Sequence, residues 1–393
     1  MLNQIKNSHR FQYWFAFLQA FPILMIVFNL SFFVFFRLYF SFNKISKIKI
    51  SNSFQILAIL FIIGAIASVA NAVDVKRSMV VLPNFLYWAI MIIFFQNYRS
   101  SLNFEIIRMG IYRGLILLNL HYWIVEKTLK FSTPFNKFIL ENGYAILMIC
   151  FVPTALKYVL VKYGNNRAYL FASVATILGF LSGSRAGAIL ILGGALLTLF
   201  SEKLSFKAIV QLVIYGLLSY FFIFKTDFFN KFLFQVNPDV HAVIFRSQEV
   251  FEEEQSMLLR RLMVEKAIIL FEQKPFTGIG LNNWTEFKVD FRGDFAGSEF
   301  VINKNRLEKF SAHNSYAALL GEGGLLVFLP FILILYTTIF ALFSQFGKLD
   351  QYQQPILWSL IMMAIHIYFI SGMSNSFTWY LLALGIASIN RKS

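Results

Sequence analysis

The chain holds a single cysteine, Cys150, set in an apolar run. One cysteine excludes intrachain disulfides and cysteine-only metal clusters, and it says nothing about compartment. Charge is scarce: 14% of the 393 residues are Asp, Glu, Lys or Arg, where a soluble domain would carry roughly a quarter. Acidic charge is scarcer still, with 20 Asp and Glu against 35 Lys and Arg. The five histidines are scattered, no carboxylate–histidine cluster has ligand spacing, and no exterior loop carries an Asp-x-Asp pair. Neither a metal site nor a cofactor is expected from that pattern. A cleavable signal peptide is not expected either, since the first apolar run continues past a normal h-region without a small-residue cleavage site.

What is abundant is apolar. Hydrophobic residues make up 58% of the chain, mean hydropathy is +0.64, and 48 phenylalanines are spread along it rather than gathered in one core. Too few polar side chains are present to cover a water-soluble globule, so lipid must be the solvent for most of the surface. The formal net charge of +15 would suggest nucleic acid in a soluble protein. Here Lys and Arg collect in short loops between apolar runs, as cytoplasmic positive charge does in membrane proteins. No basic stripe with interleaved aromatics occurs in a polar segment, so a nucleic-acid partner is not expected.

Runs long enough to cross a bilayer lie near 54–72, 79–97, 104–125, 142–162, 168–184, 186–200, 208–225, 324–345, 355–373 and 375–390. Before them comes Phe11 to Phe42, long for one span and short for two. Lys44, Lys47 and Lys49 mark a cytoplasmic segment. Counting crossings from there puts Asp74–Arg77 outside, Arg99 inside, 126–141 outside, Lys162–Arg167 inside and Ser184–Arg185 outside. Glu202–Lys207, Lys348 and Arg391–Lys392 then fall inside, and the N-terminus with Lys6 and Arg10 also reads as cytoplasmic. The expected fold is an all-α polytopic membrane protein of about twelve spans, with both termini inside and one large exterior loop. Residues 1–226 would hold the first group of spans, 227–312 the loop, and 313–393 the last spans. No internal repeat of the kind common in secondary transporters is evident.

The loop is the compositional outlier. A helical pattern runs from about Ser247 to Glu272, with Met257, Leu258, Met263, Ile268 and Leu270 between charges. Pro275 and Gly278-Ile279-Gly280 end it. Those glycines lack a third partner and a strand–helix context, so a nucleotide loop is rejected.

Three constellations fall on the exterior side. The first is Ser182-Gly183-Ser184-Arg185-Ala186-Gly187, where small residues permit close approach and arginine offers a planar donor fork for phosphate. Its plainer reading is a helix-end arginine snorkelling to the interface. The second is Arg260-Arg261 followed by the Pro275–Trp284 turn; its plainer reading is an amphipathic helix with arginines paired to Glu253, Glu254 or Glu265. The third is His313-Asn314 at the exit of the loop, where a histidine can exchange protons near neutral pH. A lone histidine there is more often structural, and His121 and His366 are read as structural. Lys76 and Arg77, in an exterior loop, are further candidates for phosphate contact.

Taken in order, these features resemble the O-antigen ligase and polymerase family of bacterial envelope enzymes. The resembling parts run from about Ser182 to Leu326. They comprise Ser184-Arg185-Ala186-Gly187, Arg260 some fifteen residues before Pro275-Phe276-Thr277-Gly278-Ile279-Gly280, and His313-Asn314 followed by nine residues and Gly324. Val327 departs from the family's small residue at the last position, which hints at different helix packing there.

The resemblance implies a GT-C-like fold and a metal-independent glycosyltransferase using an undecaprenyl-diphosphate-linked glycan donor and a saccharide or lipid A-core acceptor. It implies a multi-pass protein of the bacterial inner membrane with its active face periplasmic. Arg185 and Arg260 would stabilise the departing diphosphate, Arg261 would neighbour them, and His313 would align or deprotonate the acceptor hydroxyl. Asn314 would position the histidine or begin the helix. Polymerase and ligase share this chemistry; polymerase is favoured because repeat-unit polymerases occur in great variety. A lipid-linked oligosaccharide flippase is the rival from another class. Such transporters place ionisable residues at mid-membrane between two halves, whereas here they gather around one loop.

Overall fold

The computed structural model describes residues 2–22, 52–128, 141–182, 184–201, 250–287, 312, 314–369 and 375–389. Among the described residues all regular structure is helical. The helices are α1 Leu2–Ala20, α2 Ser53–Ala70, α3 Val75–Asn97, α4 Phe104–Leu120, α5 Glu141–Tyr163, α6 Asn165–Leu181, α7 Arg185–Phe200, α8 Val250–Gln273, α9 Ser315–Phe343, α10 Gln353–His366 and α11 Ser376–Ser388. A π-helical turn, His121–Thr128, continues α4. Several starts are fixed by local chemistry. Asn52, Asp74, Asn103, Ser184 and Asn314 each turn a side-chain oxygen onto a first-turn N–H that has no partner within its helix.

Four described helices are long and apolar enough to cross a membrane: Ser53–Ala70, Val75–Asn97, Gly143–Tyr163 and Ser315–Phe343; Ala186–Phe200 and Ser376–Ser388 are shorter apolar helices. The expected run 208–225, the second half of 11–42 and most of the loop lie outside the described residues. Two boundaries differ from expectation. Helix α1 starts at Leu2 rather than near Phe11, and α9 starts at Ser315 rather than near 324, because Asn314 caps it well before the apolar run begins.

Helix α5 is the centre of the bundle. Its apolar window is 89% buried, against 44% for α2, 44% for α3 and 39% for α9. It packs on α4, α6, α7 and α10. Every residue of α11 from Phe377 to Ser388 is buried, as befits a helix that is apolar on all faces. The outer helices expose Ile56, Ile63, Val80, Leu329 and Phe340, an apolar surface that needs lipid as its solvent.

Close approaches set the helix directions. Gly110 meets the Tyr13 carbonyl and Gly114 meets Phe17 and Ala20, while the Gln12 carboxamide binds Ser101 O at 3.1 Å and Asn103 N at 2.7 Å. Helices α1 and α4 therefore run in the same direction, in keeping with an N-terminus and an Arg99 on one side. That end also brings Arg108 over the Tyr352 ring at 4.2 Å and Gln353 onto Ser388 O at 2.7 Å. The opposite end gathers the α2–α3 connection, the turn after α8 and the start of α9.

Candidate functional site

Helix α8 ends in a tight turn from Pro275 to Trp284, and this turn is seated in a break in α9. At Gly324 the helix leaves the helical region, with φ 58° and ψ −165°. The carbonyls and amides freed there find partners in the turn. Ile279 N donates to Gly321 O at 3.1 Å, Gly280 N to Glu322 O at 3.0 Å, Leu325 N to Pro275 O at 2.8 Å and Leu326 N to Phe276 O at 3.0 Å. Irregular backbone at the edge of a membrane span is tolerable only when satisfied by protein in this way. The approach is close enough to demand glycine on both sides. A Cβ on Gly278 would fall on the Glu322 carbonyl, and one on Gly324 would lie 2.5 Å from Phe276 O.

The other face of the turn is tied to the α2–α3 connection. Val73 N donates to Ile279 O at 2.9 Å. Asn283, fully buried, accepts from Asp74 N at 2.7 Å and donates to Ser78 Oγ at 2.7 Å. Ser78 Oγ donates in turn to Leu281 O at 2.7 Å, and Lys274 Nζ to Asn71 O at 2.7 Å. Asn282 sits at φ 61°, so the backbone curls and consecutive N–H groups converge, forming a concavity for an anion. A carboxylate of the protein fills it. Trp284 N donates to Glu322 Oε1 at 2.8 Å, while the neighbouring Asn283 N–H is taken by Gly280 O at 3.2 Å. Lys266, buried on α8, donates to Trp284 O at 2.7 Å, lies 5.3 Å from the indole centroid and interacts electrostatically with Glu322.

The residues expected to act are distributed as follows. Arg185 is the first residue of α7, with Ser184 as its cap accepting from Gly187 N at 3.3 Å. Gly187 lets this first turn rest on α5, since a Cβ there would lie 2.5 Å from Ala145 Cβ. Arg260 and Arg261 lie within α8. The side chains of Arg185, Arg260 and Arg261, and His313 altogether, are outside the described residues. Asn314 begins α9: its Oδ1 accepts from Tyr316 N at 3.0 Å and Ala317 N at 3.1 Å. Of its two expected roles, starting the helix is the one the geometry contains. Lys76 is exposed. Arg77 donates to Thr285 Oγ1 at 2.8 Å and pairs with Glu286 at 2.6 Å, so its guanidinium is engaged by the turn.

Sequence reasoning missed Glu322 and Lys266 as partners of the turn. Glu322 is the one acid of α9, and a lone carboxylate in so apolar a helix is itself a signal. Val327 is explained by packing: it is fully buried against Gly323, whose missing Cβ would lie 2.5 Å from Val327 Cβ. The bulk absent at 323 is present at 327. Among the described residues no group of three or more His, Cys, Asp or Glu side chains is placed to hold a metal ion.

An apolar helical bundle with one polar, backbone-stitched end defines a helical membrane protein. Residues 170–332 match a family model described as O-antigen ligase. The matched segment contains Arg185, Arg260, Arg261, the turn, His313, Asn314 and the break at Gly324, so the resemblance read from those residues is borne out over it. Lys76 and Arg77 lie outside it. Comparison with curated proteins and with solved structures gave no match.

Proposed function

We propose that this protein is a glycosyltransferase that moves an undecaprenyl-diphosphate-linked glycan onto a saccharide acceptor, acting as a repeat-unit polymerase at the periplasmic face of a bacterial inner membrane. The observation that carries this reading is the family match across residues 170–332, which spans every constellation singled out for the chemistry. The bundle is read as about twelve spans with the loop outside.

In the proposed step the acceptor hydroxyl oxygen attacks the anomeric carbon of the donor's reducing-end sugar. The bond from that carbon to the diphosphate oxygen breaks, and its electrons leave with the diphosphate. Arg185 and Arg260 meet the developing charge, with no metal required. The N–H groups at the start of α7 add to the field that Arg185 supplies. His313 aligns the hydroxyl and takes its proton. Arg261, Asn314, Lys76 and Arg77 are assigned supporting contacts to substrate, of which those of Arg77 require it to leave Glu286.

The test is genetic and chemical. Deleting the gene and displaying surface glycan on a gel should leave a single repeat on the acceptor; long chains stranded on the lipid carrier would instead identify a ligase. His313→Ala should abolish glycan assembly in a strain lacking the wild-type copy. Arg185→Ala and Arg260→Ala, checked for membrane insertion, should each lower transfer by about a hundredfold or more, the scale of losing one preorganised donor to a developing oxyanion. Glycan-lipid translocation without glycosyl transfer would replace this reading with a flippase.

A further inference from the structure

The backbone of Trp284 is gripped from both sides. Its N–H is bound by Glu322 of α9, and its carbonyl by Lys266 of α8, through bonds of 2.8 and 2.7 Å. Two side chains from different helices thus meet on one residue, through its two flanking peptide groups, and Lys266 is only 2% exposed. A buried ammonium is costly unless paired and hydrogen-bonded, so this pair is worth keeping only where something depends on its geometry.

We infer that Lys266 and Glu322 are positioning residues: they fix the register of α8 on α9, and through it the placement of Arg260 on α8. The inference rests on the function proposed above. Arg260 lies six residues before Lys266 on the same helix, about 9 Å along its axis. His313 lies nine residues before Glu322. A rigid helix transmits any slip at Lys266 to Arg260 in full, and misplacement of about 1 Å can cost roughly a hundredfold in rate. The Oε1 of Glu322 is held by the Trp284 N–H. The seam's backbone bonds tie residues 275–280 to α9, and Lys266 carries that constraint back onto the body of α8 through Trp284.

The test uses the full chain in lipid nanodiscs with Cys150 replaced by alanine. Gly321 and Ala267 approach within disulfide reach, a Cβ on Gly321 lying 3.5 Å from Ala267 Cα. Cysteines at both positions should cross-link quickly, and Lys266→Met or Glu322→Gln should slow that cross-linking by about tenfold. The same substitutions should lower kcat for transfer from a lipid-diphosphate donor about tenfold to a hundredfold, with little change in donor KM. Forming the disulfide in the Lys266→Met background should restore kcat, and reduction should remove it again. Unchanged cross-linking in both variants, or a formed disulfide that fails to restore kcat, overturns the inference. If the wild-type chain shows no transfer at all, the proposed function fails, and the cross-linking rates still decide whether the pair sets helix register.

Discussion

At Gly324 a φ of 58° places the backbone where an L side chain is strained, and the space a Cβ needs is already filled by Phe276. Gly278, at φ 64°, faces the same breach from the turn. Gly324→Ala and Gly278→Ala should each destabilise the protein by about 1–3 kcal/mol from backbone strain alone, read as a lowered unfolding midpoint in detergent. Gly347→Ala, in open space, should move that midpoint by less than about 0.5 kcal/mol and serves as the control. Asn314 offers a second single-residue test. Losing its cap should cost about 1 kcal/mol, so Asn314→Ala should destabilise while Asn314→Ser should not. If Asn314→Ser keeps stability but loses transfer, the carboxamide also contacts substrate.

Between elements, contact is set by what is missing from side chains. Gly64 brings α2 onto the Leu326 carbonyl, just beyond the break in α9. Gly64→Val should therefore push α2 away and cost roughly 1–3 kcal/mol by overpacking, visible as faster proteolysis of the detergent-solubilised chain. The extent of most helices was legible in the sequence because it depends on short-range pattern. The apolar runs near 54–72, 79–97 and 142–162 match α2, α3 and α5 within a few residues. Helix α8 ends at Gln273, just before Pro275. The break in α9 was not legible. Its partners lie about forty residues away in the turn, and the turn's other partners, Asp74 and Ser78, are about two hundred residues away. Pairing over such separations leaves no local periodicity to read. Arg77 shows the same limit: its partners Glu286 and Thr285 lie about two hundred residues away and leave no local signal. That exposed pair contributes at most about 1 kcal/mol.

For the whole molecule the decisive question is which end faces outward. Cysteine substituted at Thr285, beside the turn, should react with a membrane-impermeant maleimide on intact spheroplasts. Cysteine at Gly347, at the opposite end and in open space, should react only after permeabilisation. The reverse pattern would put the turn in the cytoplasm and remove the basis for periplasmic transfer. The seam between the turn and α9 also bears on how the chain is made. Neither half is complete alone: Gly321 and Glu322 present carbonyls, and Leu325 and Leu326 present N–H groups, that bond to residues 275–280, with Ser68 Oγ of α2 as a second donor to Glu322 O. Residues 275–280 in turn lean, through Val73 N on Ile279 O, on the connection between α2 and α3, synthesised long before. The earliest spans must therefore wait in the bilayer with an unfilled edge until α9 leaves the ribosome. The seam thus joins parts of the chain made far apart in time, and it cannot close before α9 is made.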